Sequence, residues 1–195
     1  MAMKIIGGIA SGISLSTPAT MDVRPTGVRA KKALFDSLTS SLSFTGKTVV
    51  DLFSGTGGLG LEAASRGAEK VYLIEKSSSH CRLAEENVAK VIRAGVNAHI
   101  ESLQADSLSV AGRLINLAGS VDIIFADPPY AKFAFYFKKI LSDARFAEWA
   151  EGSVMIWEQP PDFKISEDYM DLLWNIDNIR KFAQTSFIFM SPKQN

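Results

Sequence analysis

Short apolar runs alternate with amphipathic stretches along most of this chain. "TVVDLFSG" (48–55), "KVYLIEK" (70–76), "NAHIESLQAD" (97–106), "VDIIFA" (121–126) and "GSVMIWEQ" (152–159) have the length and the β-branched or aromatic content of strands. The segments between them, 58–67, 77–95, 107–118 and 131–150, read as helices. In the second of these, serine at the start offers an N-cap and Gly95 a stop. Leu83, Val88, Val91 and Ile92 of that segment fall near one face. Near the C-terminus, "LLWNIDNIRKFAQTSFIFMSP" predicts two strands with a turn around Ala183–Gln184. Strands alternating with helices imply right-handed βαβ units and a parallel sheet. The last pair, with no helix between its strands, predicts an antiparallel partner at one edge. The sequence holds no internal repeat and no low-complexity tract.

The first residues break this alternation. "KIIGGI" and "GISLST", flanking "ASG", predict a β-hairpin. One lysine and glycines at 7, 8 and 12 make a poor signal peptide. The stretch "TPATMDVRPT" (17–26) is the natural boundary, which gives a small β extension over residues 1–23 and a main domain over 24–195.

Composition narrows the classes. The 195 residues suit one domain with a small appendage, and 47% apolar content supports a sizeable core. Lysine plus arginine balance aspartate plus glutamate at 21 each, so any nucleic-acid partner must meet a local basic patch. Cys81 is the single cysteine, which excludes an intrachain disulfide and agrees with a reducing, cytoplasmic location. No apolar run approaches the ~18 residues of a membrane span. His80 and Cys81 are adjacent and His99 is distant, so no metal-ligand spacing exists and no metal is expected.

Candidate chemistry begins at "DLFSGTGGLG" (51–60). Gly55, Gly57 and Gly60 form a GxGxxG pattern that leaves a strand and enters a helix, the context that gives the pattern meaning. Such glycines permit a tight turn and let a ligand approach the backbone. Glu75 closes the next strand 20 residues after Gly55, where a carboxylate can hold both hydroxyls of a ribose. NAD and S-adenosylmethionine both carry that ribose, and the glycine turn alone leaves the two open. For the latter, Asp51 and the loop carbonyls would suit a sulfonium and an amino-acid group. Asp106 ends the third strand, where it can either meet an adenine or cap the helix that follows.

"DPPY" (127–130) follows "VDIIFA" directly. In an open α/β sheet, ligands bind beyond the C-terminal strand ends at the point where strand order reverses. Strands 48–55 and 121–126 should be neighbours there, which sets Asp127 beside the glycine turn. Asp127 and the Pro128 carbonyl are then two acceptors that one –NH₂ group can meet, while Tyr130 offers a face on which a planar base stacks, worth ~1–3 kcal/mol. An exocyclic amine is a poor nucleophile because its lone pair is delocalised. Gripping both N–H bonds favours a pyramidal nitrogen whose lone pair can attack a methyl group in line. The catalytic candidates are therefore Asp127, Pro128 and Tyr130.

Residues 51–60, 75 and 127–130 resemble the S-adenosylmethionine-dependent amino-methyltransferases. "RPTGVRAKKALFDSL" (24–38), "LEAASRGA" (61–68) and "IWEQP" (156–160) are similar to signatures of the bacterial 16S ribosomal RNA guanine-N2 methyltransferases of the RsmD type. The resemblance implies a Rossmann-like α/β fold with the seven-stranded methyltransferase sheet. It implies S-adenosylmethionine as cofactor, held by Asp51, Ser54, Gly55, Gly57, Gly60, Glu75 and Asp106. It further implies methylation of a guanine N2 amine, at the position named guanine-966, in 16S rRNA of the small ribosomal subunit, by a monomeric cytoplasmic enzyme. Arg24, Thr26, Arg29 and Tyr130 would contact the RNA. Arg24, Arg29, Lys31 and Lys32 form an acid-free basic run able to hold phosphates. Lys132, Lys138 and Lys139 either extend that patch or form a solvated face, and core packing is the expected use of Phe133, Phe135 and Phe137. The chain departs from the family in having Lys32 where Glu is frequent, no basic residue in "GGIASGISL", and "KFAQT" (181–185) where Tyr–Gly is usual. An N6-adenine DNA methyltransferase and an NAD(P)-dependent oxidoreductase are the competing readings.

Overall fold

Alternation within each strand builds the layers. In the computed structural model, which describes residues 3–19, 25–165, 172–182 and 184–193, Val50, Tyr72, Ile74, Ile124, Ala126 and Trp157 face one core. Their strand neighbours Val49, Val71, Leu73, Ile123, Phe125 and Ile156 face another. Period-two burial on both faces is what a sheet covered by helices on each side requires.

The strands are β1 (Thr48–Asp51), β2 (Lys70–Glu75), β3 (His99–Gln104), β4 (Ile123–Ala126), β5 (Val154–Gln159), β6 (Trp174–Phe182) and β7 (Thr185–Pro192). They form one seven-stranded sheet in the order β3-β2-β1-β4-β5-β7-β6. The first five are parallel neighbours, and β7 runs antiparallel to both β5 and β6. The expected β1–β4 adjacency is present, with Asp51 opposite Phe125. The expected antiparallel edge pair is also present; Ala183, in its turn, lies outside the described residues.

The helices are α1 (Pro25–Ser41), α2 (Gly58–Ser65), α3 (Ser78–Arg93), α4 (Val110–Arg113), α5 (Phe133–Leu141) and α6 (Ala144–Trp149). Residues of α1, α2 and α3 pack on the second core, and residues of α4, α5 and α6 on the first.

Several boundaries differ from the sequence expectation. β1 stops at Asp51, because Leu52–Thr56 turn away over the end of the sheet. Segment 107–118 is three short pieces, with α4 flanked by 3₁₀ turns at Ser107–Ser109 and Ile115–Leu117. Segment 131–150 is two helices, because the Asp143 carboxylate accepts from the Arg145 and Phe146 amides and so caps a new start. On α3 the buried line is Cys81, Ala84, Asn87 and Val91, while Ile92 is exposed.

The N-terminal segment is a looser hairpin than expected. A single antiparallel bridge joins Lys4 to Ser14, supported by Ile5 N–H to Ile13 O (3.0 Å) and Leu15 N–H to Met3 O (2.8 Å). Between them the Gly12 amide still donates to Ile5 O (2.9 Å), and the loop also bonds to α2. The Ile6 and Gly7 amides each donate to the Glu62 carboxylate at 2.8 Å, and the Ile9 amide donates to Ser65 O. Gly8 adopts φ +76° with its α-carbon against the Ser65 carbonyl, where a Cβ would sit 1.9 Å from that oxygen. Ile5, Ala10 and Leu15 are buried in the same cluster as α1 and α2. Residues 20–24, where the boundary at residue 23 was expected, lie outside the described residues.

Candidate active site

Asp51, Glu75, Asp106 and Asp127 lie at or just past the C-terminal ends of β1, β2, β3 and β4, and the glycine turn follows β1. Gly57 takes φ +91° and leads into α2, whose third residue, Gly60, lies against β2. A Cβ on Gly60 would stand 2.3 Å from Leu73 Cδ2, so only glycine lets the helix approach the sheet this closely. Gly55, at φ +53°, has open space where its Cβ would be, and its amide donates to Glu75 Oε2 at 3.0 Å. The other Glu75 oxygen accepts from the Ser77 amide at 2.7 Å. Both carboxylate oxygens are thus oriented by backbone, and each retains a lone pair.

Asp51 is buried at the end of β1, and its Oδ2 accepts from the Gly60 amide at 2.9 Å. Burial raises its pKa from 3.8 to about 7, against the opposing pull of the Gly60 amide and of Lys31. The Phe53 amide also favours the ionised form, yet Asp51 Oδ1, Ser54 Oγ and Thr56 Oγ1 are buried with no hydrogen-bond partner in the protein. Unpaired buried acceptors and hydroxyls are costly, and their clustering in one loop fits a bound group that carries donors.

Asp127 follows β4, and Pro129 is extended at φ −53°, ψ 128°. Burial raises the Asp127 pKa well above the carboxylate range, and the charges of Glu158 and Asp51 push it further. The β4–β5 register explains Glu158: Ala126 lies opposite Trp157, so Asp127, just past the end of β4, stands beside Glu158, which β5 still carries in its pairing with β7. The Glu158 pKa is also raised by burial, while the Tyr130 hydroxyl, donating to Glu158 Oε1 at 2.9 Å, acts in the opposite sense. Sequence reasoning did not single out Glu158; its signal was a strand-end acid in "IWEQ", one strand from DPPY. Tyr130 is 46% exposed, so its ring is accessible although its hydroxyl is held.

Other candidates stand farther out. Asp106 caps the 3₁₀ turn at Ser107, accepting from the Leu108 amide at 3.1 Å, and pairs with Lys76 at 2.7 Å. These partners hold its pKa below the usual value despite the opposing and larger cost of its partial burial. Arg29 is exposed on α1, Thr26 lies in that helix's first turn, and Arg24 lies outside the described residues. Lys31 departs from expectation as a phosphate ligand: its ammonium is buried, bonded to the Gly58 carbonyl and 3.3 Å from Glu62. Lys32 pairs with Asp36 on the surface. Phe133 and Phe137 are core residues as expected, but Phe135 is 52% exposed. A recess of about 400 Å³ between the N-terminal loop and the end of α3 is lined by Ile13, Lys90 and Arg93 and by none of these site residues.

The profile of the family described as "Conserved hypothetical protein 95" matches residues 3–190. The chain belongs to this family. It is similar to the ribosomal RNA small subunit methyltransferase D of Escherichia coli K12, at 33% identity over 130 residues, covering 67% of this chain and 61% of that one. The chain thus spans less than two thirds of that relative's length. The fold matches a hypothetical protein of Thermus thermophilus, with TM-score 0.71, 28% identity and coverage of 96% and 98%. It also matches an RNA methyltransferase of Salinibacter ruber in complex with S-adenosyl-L-homocysteine, with TM-score 0.57, 15% identity and coverage of 84% and 94%. The expected membership and the Rossmann-like methyltransferase fold are therefore borne out. Among the described residues no His/Cys/Asp/Glu group is arranged to hold a metal ion, and no helix is long and apolar enough to cross a membrane.

Proposed function

We propose that this protein is an S-adenosylmethionine-dependent methyltransferase that modifies the N2 amine of a guanine in 16S rRNA of the small ribosomal subunit, at the position named guanine-966. The observation that carries the reading is the convergence of Asp51, Glu75, Asp127 and Glu158 around the glycine turn. A site lined by carboxylates attracts a sulfonium and an ammonium and repels the pyrophosphate of NAD. The first turn of α2, where a pyrophosphate would bind, already holds the Asp51 carboxylate through the Gly60 amide. The named activity of the E. coli relative and the ligand of the S. ruber neighbour point the same way.

In this reading Glu75 takes the ribose hydroxyls, Asp51 and Ser54 the amino-acid end, Gly55 leaves room for the ligand against the backbone, and Gly57 and Gly60 let the turn and α2 pack close beneath it, with Asp106 toward the adenine. The bound cofactor supplies an electrophilic methyl group on a positively charged sulfur. Tyr130 stacks on the guanine, and Glu158 fixes the Tyr130 ring through its hydroxyl. Asp127 and the Pro128 carbonyl accept the two amine N–H bonds and turn the nitrogen lone pair toward the methyl group. Methyl transfer to that nitrogen would leave the former C–S bonding pair with the sulfur, and the acidified amine would give up its proton through the Asp127 carboxylate to water. Arg24, Thr26 and Arg29 are proposed to meet the RNA, and the enzyme to work as a cytoplasmic monomer without a metal. The deciding experiment incubates the protein with tritiated S-adenosylmethionine and small subunits, naked rRNA or DNA, followed by digestion to nucleosides. Label on N2-methylguanosine is expected; label on N6-methyladenine of DNA, or tight NADH binding in place of S-adenosylmethionine, would replace this reading.

A further inference from the structure

We infer that the exposed face of α5 is a second RNA-binding surface, which takes the single strand beside the target nucleotide. The inference rests on the RNA reading above and goes beyond the target pocket. Tyr130–Lys132 form a 3₁₀ turn that leads straight into α5, so this face begins at the proposed stacking ring. The helix buries Phe133, Tyr136, Phe137, Ile140 and Leu141, leaving Ala134, Phe135, Lys138, Lys139 and Ser142 outside. That spacing is one continuous stripe of a helix.

Its chemistry suits a nucleic-acid strand. Residues 128–142 contain three lysines and no acid. Among the described residues, Lys132, Lys138 and Lys139 have no carboxylate within ion-pair distance. Phe135 exposes about half its surface, while Phe133, Tyr136 and Phe137 of the same helix are buried. It lies edge-on to Tyr136 at 5.3 Å, and Tyr136 in turn meets Phe53 of the glycine loop at 4.8 Å, so the ring is braced against the proposed cofactor site. Between Phe135 and the two lysines is a recess of about 210 Å³. One helical turn separates Phe135 from Lys138 and Lys139, or roughly 5 Å. A strand entering along the stripe can stack one base on Phe135 while its phosphates meet the lysines, the combination of aromatic platform and cationic track by which single strands are held.

The test measures binding of a short labelled single-stranded RNA by anisotropy over a salt series, for the wild type, Phe135→Ala, Phe135→Trp and the pair Lys138→Ala with Lys139→Ala. Phe135→Ala should weaken binding by ~5–150-fold, the value of one stacked base, and Phe135→Trp should restore it. The lysine pair should lower the log–log salt slope by roughly 1.4, about 0.7 per lost phosphate contact on a single strand. Thermal midpoints should not move, because all three side chains are outside the core, and the lysine pair should leave S-adenosylmethionine affinity unchanged. Unchanged affinity and slope in both variants, or a wild type that binds no RNA, overturns the proposal. Methylation of small subunits, run in parallel, separates the two readings. A wild type that methylates rRNA while the variants bind normally removes this face alone. Variants that lose RNA binding in a protein that methylates nothing support the face and remove the activity.

Discussion

Asp51 shows how a single residue sets the terms for binding. Its pKa of about 7 means that a large share of the protein carries it protonated at neutral pH in the absence of a cation. Because the folded value lies above the ordinary 3.8, the group's stabilising contribution is complete below about pH 4 and is lost as the pH rises through about 7. Binding of a cationic cofactor reverses the preference, since the carboxylate must then be charged. Affinity for S-adenosylmethionine should therefore rise up to tenfold per unit between about pH 5 and 7 and level off above about 8, with proton release detectable by calorimetry in buffers of different ionisation enthalpy. Asp51→Asn should bind weakly with a flat profile; an unchanged slope in that variant would remove Asp51 from the cofactor site. Asp127 and Glu158 divide differently. Asp127→Ala should cut single-turnover methylation by ~10²–10³, as loss of a preorganised polar contact does. Glu158→Gln, which retains an acceptor for Tyr130, should cost much less and should shift the acidic limb of the pH–rate profile downward, because one of the charges raising the Asp127 pKa is gone. Equal losses in the two variants would mean that Glu158 touches the reacting amine itself. Asp127 and Tyr130 are legible in the sequence because proline after a strand fixes where both lie. Glu158 is not, since an acid near a strand end reads as solvated until the β4–β5 register places it beside Asp127.

Elements are recovered from the sequence to the extent that their signals are local. The strands of the parallel core are legible, because buried β-branched runs bounded by turns leave few alternatives. The break of segment 131–150 was carried by Ser142–Asp143, an N-cap signal inside a stretch that is otherwise helical. Lys31 illustrates the opposite case, where a basic run suggests a surface and only the packing of α1 on α2 shows an ion pair. Glu62, fully buried, accepts from the Ile6 and Gly7 amides and from Arg66 Nε, and pairs with Lys31. It ties the N-terminal loop, α1 and α2 together. Glu62→Ala would strand a buried ammonium and two amides, at a cost of ~3–5 kcal/mol. For a chain of this size that corresponds to a thermal midpoint lower by roughly 6–20 °C. Lys31→Met should cost clearly less, because Glu62 keeps Arg66 and both amides while an apolar chain fills the space. A calorimetric scan ranks the two, and a larger loss for Lys31→Met would mean that Lys31, through the Gly58 carbonyl, is what holds the glycine turn.

Across the whole molecule, the order of strands places function at one edge. Chain order reverses between β1 and β4, so the glycine turn and DPPY meet there although 70 residues separate Gly57 from Asp127. This juxtaposition follows from the right-handed crossover rule and needs no long-range signal in the sequence. How α1 lies was not legible, because its register against the sheet depends on side chains from β6, such as Arg180, which donates to Ser37 Oγ at 2.8 Å. The result sets two cationic elements on opposite faces of the sheet, with Arg29 on α1 over one core and Lys138 and Lys139 on α5 over the other. An RNA that reaches both across the C-terminal ends of the strands passes over the proposed pocket. Sites so placed share no partner, and their energies should add. Arg29→Ala alone should remove about 0.7–0.9 from the log–log salt slope of subunit binding, and combination with the α5 lysine pair should remove the sum of the separate losses. Lys31→Met should leave the slope intact, since a buried ammonium releases no counterion from RNA. Salt titrations on the four variants and the wild type would check this. Losses that saturate in the combined variant would mean that the RNA uses one face at a time, and a lower slope for Lys31→Met would mean that α1 opens when RNA binds.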